Sequence, residues 1–241
     1  MFVNFRKSLL ILIILLITPL IFLTINWRWQ PELLNNYSYY FYWLTETAGS
    51  PWSIITCIFF SLIMVLCLKI RSKNLLIKLI LILAVAIVAG QIIKSGIKNL
   101  MAEPRPYVLW MADKYQINDK YFYSLPRMER QALLQVYLQS SSEVPNWLYQ
   151  HWQKETGYSF PSGHTLFAVT WAFLVFFLLN FKRSYLIIGL IIAWAILVQV
   201  SRFTLGMHHP IDVICSTFIG WLIALFTYSF GIERYVFKNK Q

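Results

Sequence analysis

Charge is what this sequence has least of. Only 13% of its 241 residues are Asp, Glu, Lys or Arg, against 58% hydrophobic and a mean hydropathy of +0.57. A soluble domain carries roughly twice that charged share, so an ordinary water-soluble fold is excluded. Cysteine is scarce as well. Cys57, Cys67 and Cys215 fall in apolar stretches without metal-ligand spacing, which argues against a disulfide framework or a thiolate metal centre and leaves them as small apolar filler. Internal repeats, low-complexity tracts and soluble linkers are missing too, so residues 1–241 read as a single membrane-embedded domain.

The apolar residues come in blocks close to the ~20 residues that span a bilayer as helix. Six are readable, at about 8–25, 52–68, 79–97, 164–181, 185–200 and 211–230. The expected fold class is therefore all-α, a polytopic membrane protein with six transmembrane helices. The first block follows Arg6 and Lys7, as a secretory signal would. Its apolar run is longer than a signal core and no small-x-small cleavage site follows, so it reads as a retained helix.

Basic residues set the orientation. Arg6, Lys7, Lys69, Arg71, Lys73, Lys78, Lys182, Arg183, Arg234, Lys238 and Lys240 fall on one set of connections and ends, against only Glu233. The other ten bases nearly balance nine acids. Both termini are thus expected on the cytoplasmic side. The formal net charge of +11 reports topology and anionic-lipid contact and calls for no nucleic-acid partner.

Outside the membrane, Trp27, Trp29, Tyr37, Tyr39 and Tyr40 suit headgroup anchoring. The connection between the third and fourth blocks, about 99–163, is far longer than the others. Within it Pro126 to Leu138 and Pro145 to Glu155 each open on a proline, as first helical turns do. Leu134, Tyr137 and Leu138 would share a face of the first, and Trp147 and His151 a face of the second. A lid or lipid-facing collar is expected. His151 and Glu155, four apart, read as a pair stabilising that surface helix.

Three polar clusters fall at one membrane face: Lys98 and Arg105 where the third block ends, Pro161-Ser162-Gly163-His164 where the fourth begins, and Ser201-Arg202 through His208 and Asp212 between the last two. Ionisable residues at membrane depth cost about 2.5–3.5 kcal/mol each on insertion scales, which makes them functional candidates. Lys98, Arg105 and Arg202 form a cationic cradle for an anion with several oxygens. Pro104 and Pro106 restrict the backbone around Arg105. The Gly163 and His164 amides open a helix N-terminus, which favours anions, and Ser162 either caps that helix or donates to the anion. Lys94, one turn before Lys98, either extends the cradle toward the headgroup or only snorkels. If Pro210 is the first helical residue, Asp212 stands third and reaches back. It would accept a hydrogen bond from one ring nitrogen of His208 and leave the other as nucleophile, with His164 as acid and then base. His209, beside His208, is expected in the first turn or at the interface. The two histidines and Asp212 also suit zinc, but three cations around the same point would repel a dication.

Lys98-x6-Arg105-Pro106, Pro161-Ser162-Gly163-His164 and Ser201-Arg202-x5-His208-x3-Asp212 together resemble the three-part signature of the phosphatidic acid phosphatase type 2 superfamily. The likeness covers about residues 52–230. It implies a six-helix core, metal-independent hydrolysis without cofactor, and a phosphohistidine on His208. Asp212 would fix that histidine's tautomer and His164 would protonate the leaving alkoxide. Lys98, Arg105, Arg202, Ser162 and Gly163 would stabilise the equatorial oxygens. A bacterial branch of the superfamily that hydrolyses phosphatidylglycerophosphate is closer still, through Trp27-Arg28-Trp29-Gln30-Pro31, Trp43 to Glu46, Gly90-Gln91 with Lys94, and His151 to Gly157. That likeness implies a multi-pass protein of the bacterial inner membrane with a periplasmic active site. It also implies activity on phosphatidic acid, lysophosphatidic acid, diacylglycerol pyrophosphate and undecaprenyl pyrophosphate. The partners expected are lipid phosphates and membrane phospholipids, with no obligate protein partner. A dedicated undecaprenyl pyrophosphate phosphatase is the alternative among enzymes. A phospholipid-headgroup transporter is the alternative outside them, and the one-sided charges and lack of repeats weigh against it.

Overall fold

The protein is described here as a computed structural model covering residues 2–179 and 181–237. Among these residues the chain is all-helical: α1 (Phe2–Thr24), α2 (Ser38–Glu46), α3 (Trp52–Cys67), α4 (Lys73–Met101), α5 (Pro106–Tyr115), α6 (Asp119–Ser124), α7 (Arg127–Leu138), α8 (Asn146–Lys154), α9 (Gly163–Leu178), α10 (Phe181–Thr204) and α11 (Pro210–Phe226), continued by a π-helical segment, Thr227–Phe237. Lys238 and Lys240, expected on the cytoplasmic side, lie outside the described residues.

Each of the six apolar blocks is a helix. Four runs are long and apolar enough to cross a membrane, Phe5–Thr24, Lys73–Lys98, Ser184–Thr204 and Pro210–Ile232, and the chain is a membrane protein. The other two, α3 and α9, have 16 residues each. At 1.5 Å per residue that is about 24 Å, short of the ~30 Å hydrocarbon core. The two differ in setting. α3 turns Ile54, Ile55, Ile58 and Phe59 outward, whereas every residue of α9 from Thr165 to Leu178 is buried. An all-round apolar helix belongs at the centre of a bundle. Accordingly α9 is packed against α10 and α11, with α1, α3 and α4 around them.

The helix starts follow local chemistry. Ser162 accepts the Thr165 amide at the head of α9, and Pro106 and Pro210 occupy the first turns of α5 and α11, where a missing N–H costs nothing. Pro126 and Pro145 stand one position earlier than expected, as the residues preceding α7 and α8.

The long connection is a packed collar. α5 to α8 share an apolar core in which Tyr107, Met111, Phe122, Leu134, Leu138, Leu148 and Trp152 are buried. Leu134 and Leu138 are the expected face of α7; Tyr137 is only partly buried. The same core takes in Leu205 and Met207, from the turn between α10 and α11. Trp29 joins it too and is 3% exposed, so it is a core residue and not a headgroup anchor. Tyr37, Tyr39 and Tyr40 are exposed as expected.

Two indoles fasten the collar to the end of α10: Trp29 Nε1 donates to the Thr204 carbonyl (2.9 Å) and Trp152 Nε1 to the Leu205 carbonyl (2.8 Å). Gly206 follows in the left-handed region (φ +66°), and a β-carbon there would come within 2.8 Å of the Trp29 ring. Gly206→Ala therefore meets both backbone strain and overpacking, together roughly 2–4 kcal/mol. A thermal melt of the detergent-purified variant should lie several degrees below wild type.

Candidate active site

The turn between α10 and α11 is wound tightly on itself: the Arg202 carbonyl accepts the amides of both Met207 (3.0 Å) and His208 (3.3 Å). Pro210 opens α11, so Asp212 occupies its third position and reaches back. Its Oδ2 accepts the His209 amide (2.8 Å), lies 3.2 Å from His208 Nδ1 and takes the Ser159 hydroxyl at 2.5 Å. With Nδ1 engaged by the carboxylate, the lone pair of the neutral His208 ring lies on Nε2. Burial, then Arg105, Arg202 and Lys98, push the His208 imidazole well below the usual histidine range, so the ring is neutral at pH 7. His209 points elsewhere, its Nε2 3.0 Å from the Pro104 carbonyl.

Lys94, Lys98, Arg105, Gly163, His164 and His208 line one cavity of about 710 Å³. Arg105 is fixed by more than its flanking prolines. Its Nε donates to the Gly157 carbonyl (2.7 Å), Nη1 to the Met207 carbonyl (3.3 Å), and its own amide to Tyr123 Oη (2.9 Å). Arg202 and Asp212 do not line the cavity; both are fully buried behind it. Arg202 Nη1 donates to Thr45 Oγ1 (2.5 Å). Ser162 caps α9 and donates its hydroxyl to Thr165 Oγ1 (2.9 Å). Lys94 donates to Gln91 Oε1 (2.6 Å), and its stem crosses Gly163 so closely that a β-carbon there would lie 2.8 Å from Lys94 Cδ. Lys94 thus stays at the cavity wall.

The residue that sequence reasoning most misjudged is Glu155. His151 does not pair with it; its Nδ1 lies 3.3 Å from Glu46 Oε1, between α8 and α2. Glu155 instead enters the cavity. Its Oε2 lies 3.1 Å from Arg105 Nη2 and 3.4 Å from Arg202 Nη2, and its Oε1 3.5 Å from His164 Nε2. Burial pushes this carboxyl up, but His164, Arg202 and Arg105 outweigh it and hold the group well below the ordinary carboxylate range. Ser159, Thr45 and Gly49 were missed as well. A β-carbon on Gly49 would lie 2.8 Å from His164 Nε2, so only glycine leaves that ring its place. Thr45 lay within the Trp43 to Glu46 likeness but had no role assigned to it, Gly49 carries no motif, and Ser159 sits two residues from one without belonging to it.

Among the described residues, no three His, Cys, Asp or Glu side chains converge as a metal set. The cavity instead presents a neutral histidine backed by a carboxylate, a second histidine, and lysines and arginines held in fixed positions. Such side chains can bind a phosphate group and offer it a nucleophile. Set among membrane helices, they define a membrane phosphatase.

Residues 79–235 match the sequence profile of the PAP2 superfamily, and the chain belongs to that superfamily. Phosphatidylglycerophosphatase B of Escherichia coli is 41% identical over 216 residues, covering 89% of this chain and 85% of its own. The protein of the same name from Haemophilus influenzae is 33% identical over 243 residues, covering 98% and 100%. An undecaprenyl-diphosphatase of Sulfolobus acidocaldarius is 44% identical over 70 residues, covering 29% and 30%.

Two expectations follow. Gly49→Ala displaces the His164 ring, and phosphatase kcat should fall roughly 100-fold, as a 1 Å misplacement does, with the melting temperature little changed. Glu155→Gln should lower the melting temperature at pH 7. Because the folded carboxyl is depressed, its contribution is complete above the ordinary value of 4.5 and is lost as pH falls through the lower folded value. The gap between the two melting curves should therefore close only well below pH 4.5.

Proposed function

We propose that the protein dephosphorylates phosphatidylglycerophosphate to phosphatidylglycerol through a phosphohistidine, and acts also on phosphatidic acid, lysophosphatidic acid, diacylglycerol pyrophosphate and undecaprenyl pyrophosphate. The observation that carries the mechanism is the buried Ser159–Asp212–His208 chain, which orients a neutral imidazole into a cavity walled by cations. The substrate follows the relatives' names together with their coverage of nearly the whole chain.

His208 Nε2 attacks phosphorus while the phosphorus–alkoxide bond breaks, and His164 gives its proton to the departing lipid oxygen. Glu155 Oε1, 3.5 Å from His164 Nε2, faces that ring. Water then attacks the phosphohistidine as His164 takes its proton, releasing phosphate and regenerating His208. Asp212 balances the imidazolium character of His208, and Lys98, Arg105 and the Gly163 amide, which line the cavity, stabilise the equatorial oxygens. Arg202 acts from behind the cavity through its field, and Ser162 by capping α9. The incoming phosphate competes with Glu155 for the Arg105 guanidinium, which lines the cavity. Lys94 meets the headgroup beyond Lys98. Ile54, Cys57, Ile87 and Phe167 continue the cavity wall on its apolar side, which suits a substrate whose tails stay in the bilayer. The reading also takes residues 1–241 as one membrane-embedded domain with six spans in the bacterial inner membrane, both termini cytoplasmic and the collar and cavity periplasmic.

The partial match to an undecaprenyl-diphosphatase favours a second reading, a dedicated role on undecaprenyl pyrophosphate. One assay tests both. With excess chelator, the purified protein should release phosphate from phosphatidylglycerophosphate, His208→Ala should abolish release, and Arg105→Ala should slow it roughly 100- to 1000-fold. A faster rate on undecaprenyl pyrophosphate selects the second reading, and release that survives His208→Ala overturns the mechanism.

A further inference from the structure

The mouth of the cavity carries a second group of cations that the mechanism leaves unused. Arg127 and Arg130, from α7, and Lys154, the last residue of α8, line the same space as His208. The carboxylate on that lining is Glu155, and its oxygens are engaged by Arg105, Arg202 and His164. Among the described residues, none of the three outer cations has an ion-pair partner.

They are nevertheless held in place. Arg127 Nη2 donates to the Lys154 carbonyl (2.9 Å) and Arg130 Nη1 to the Thr156 carbonyl (2.8 Å). The Arg130 guanidinium lies 5.8 Å from the centre of the Tyr123 ring, and its Nε is buried with no acceptor. The same strand of backbone serves the inner cradle, since the Gly157 carbonyl holds Arg105 Nε. Residues 154–157 thus form a partition, with carbonyls fixing Arg127 and Arg130 on its outer side and Arg105 on its inner side. A guanidinium that donates only one N–H to a carbonyl has further donors in its planar fork, the geometry that recognises phosphate oxygens.

We propose that Arg127, Arg130 and Lys154 form a second phosphate subsite at the cavity mouth, distinct from the cradle at His208. Its ligand is a phosphate group, either the second phosphate of a substrate that carries two or the inorganic phosphate leaving the site. The proposal rests on the lipid-phosphate phosphatase reading above.

Steady-state kinetics in non-ionic mixed micelles test it, using phosphatidic acid (one phosphate) and phosphatidylglycerophosphate (two), with inorganic phosphate as inhibitor. The variants are Arg130→Gln and the exposed pair Arg127→Gln/Lys154→Gln, which removes no packing; Arg130→Lys keeps the charge if Arg130→Gln fails to fold. A rise of about ten-fold in KM for phosphatidylglycerophosphate, the loss expected for one charged hydrogen bond, with phosphatidic acid kinetics within about two-fold, assigns the subsite to the substrate's second phosphate. An unchanged KM ratio with about ten-fold weaker inhibition by inorganic phosphate assigns it to the departing product. Equal KM increases on both lipids without a change in phosphate inhibition, or no change at all, would overturn it. Wild-type protein inactive on both lipids would instead sink the phosphatase reading itself.

Discussion

The arrangement around the cavity depends on one carboxylate. Arg105 and Arg202 are 2% and 0% exposed, and stripping water from a guanidinium costs several kcal/mol unless charge and hydrogen bonds replace it. Glu155 supplies that charge to both, and to His164. It does so from the end of α8, so the two guanidiniums and His164 stay together only while α8 keeps its place. Side chains fixed this way hold their geometry through protein groups alone, the condition that preorganised electrostatic stabilisation requires.

The collar makes that placement permanent. Trp152, on the buried face of α8, stacks on Tyr107 at 4.5 Å and caps the end of α10 through its indole N–H. Glu46 meets His151 on the same helix, and the preceding residue, Thr45, anchors Arg202. Two residues of α2 therefore brace the inner cradle from the opposite side. The apolar core and the polar network reinforce each other: burying Trp152 aims Glu155, and Glu155 makes the burial of the arginines tolerable.

Much of this was legible in the sequence wherever a residue's role follows from its neighbours along the chain. Each apolar block became a helix, because a helix satisfies its own backbone whether lipid or packed side chains surround it. Pro210 placed Asp212 at the third position of α11, and the hydrogen bond back to His208 followed from helix geometry alone. What stayed hidden depends on contacts between distant segments. Glu155 looked like the partner of His151 because both lie on one helix, yet each found a stronger partner from another element. The short helices α2, α5 and α6 lack a long apolar period, so only their packing defines them. Trp29 looked like a headgroup anchor because tryptophan serves equally well at an interface and in a core.

The Trp29–Thr204 contact joins residues 175 positions apart, which sets the timing of biosynthesis. The ribosome makes Trp29 soon after the first helix and must then complete nearly the whole chain before the carbonyl it caps exists. Asp212 comes later still. Until the last hairpin is translated and inserted, the histidine loop has neither its tryptophan clasp nor its carboxylate, and the collar core lacks Leu205 and Met207. A nascent chain therefore lacks this clasp and this hydrogen-bond chain until the segment carrying Asp212 has been made.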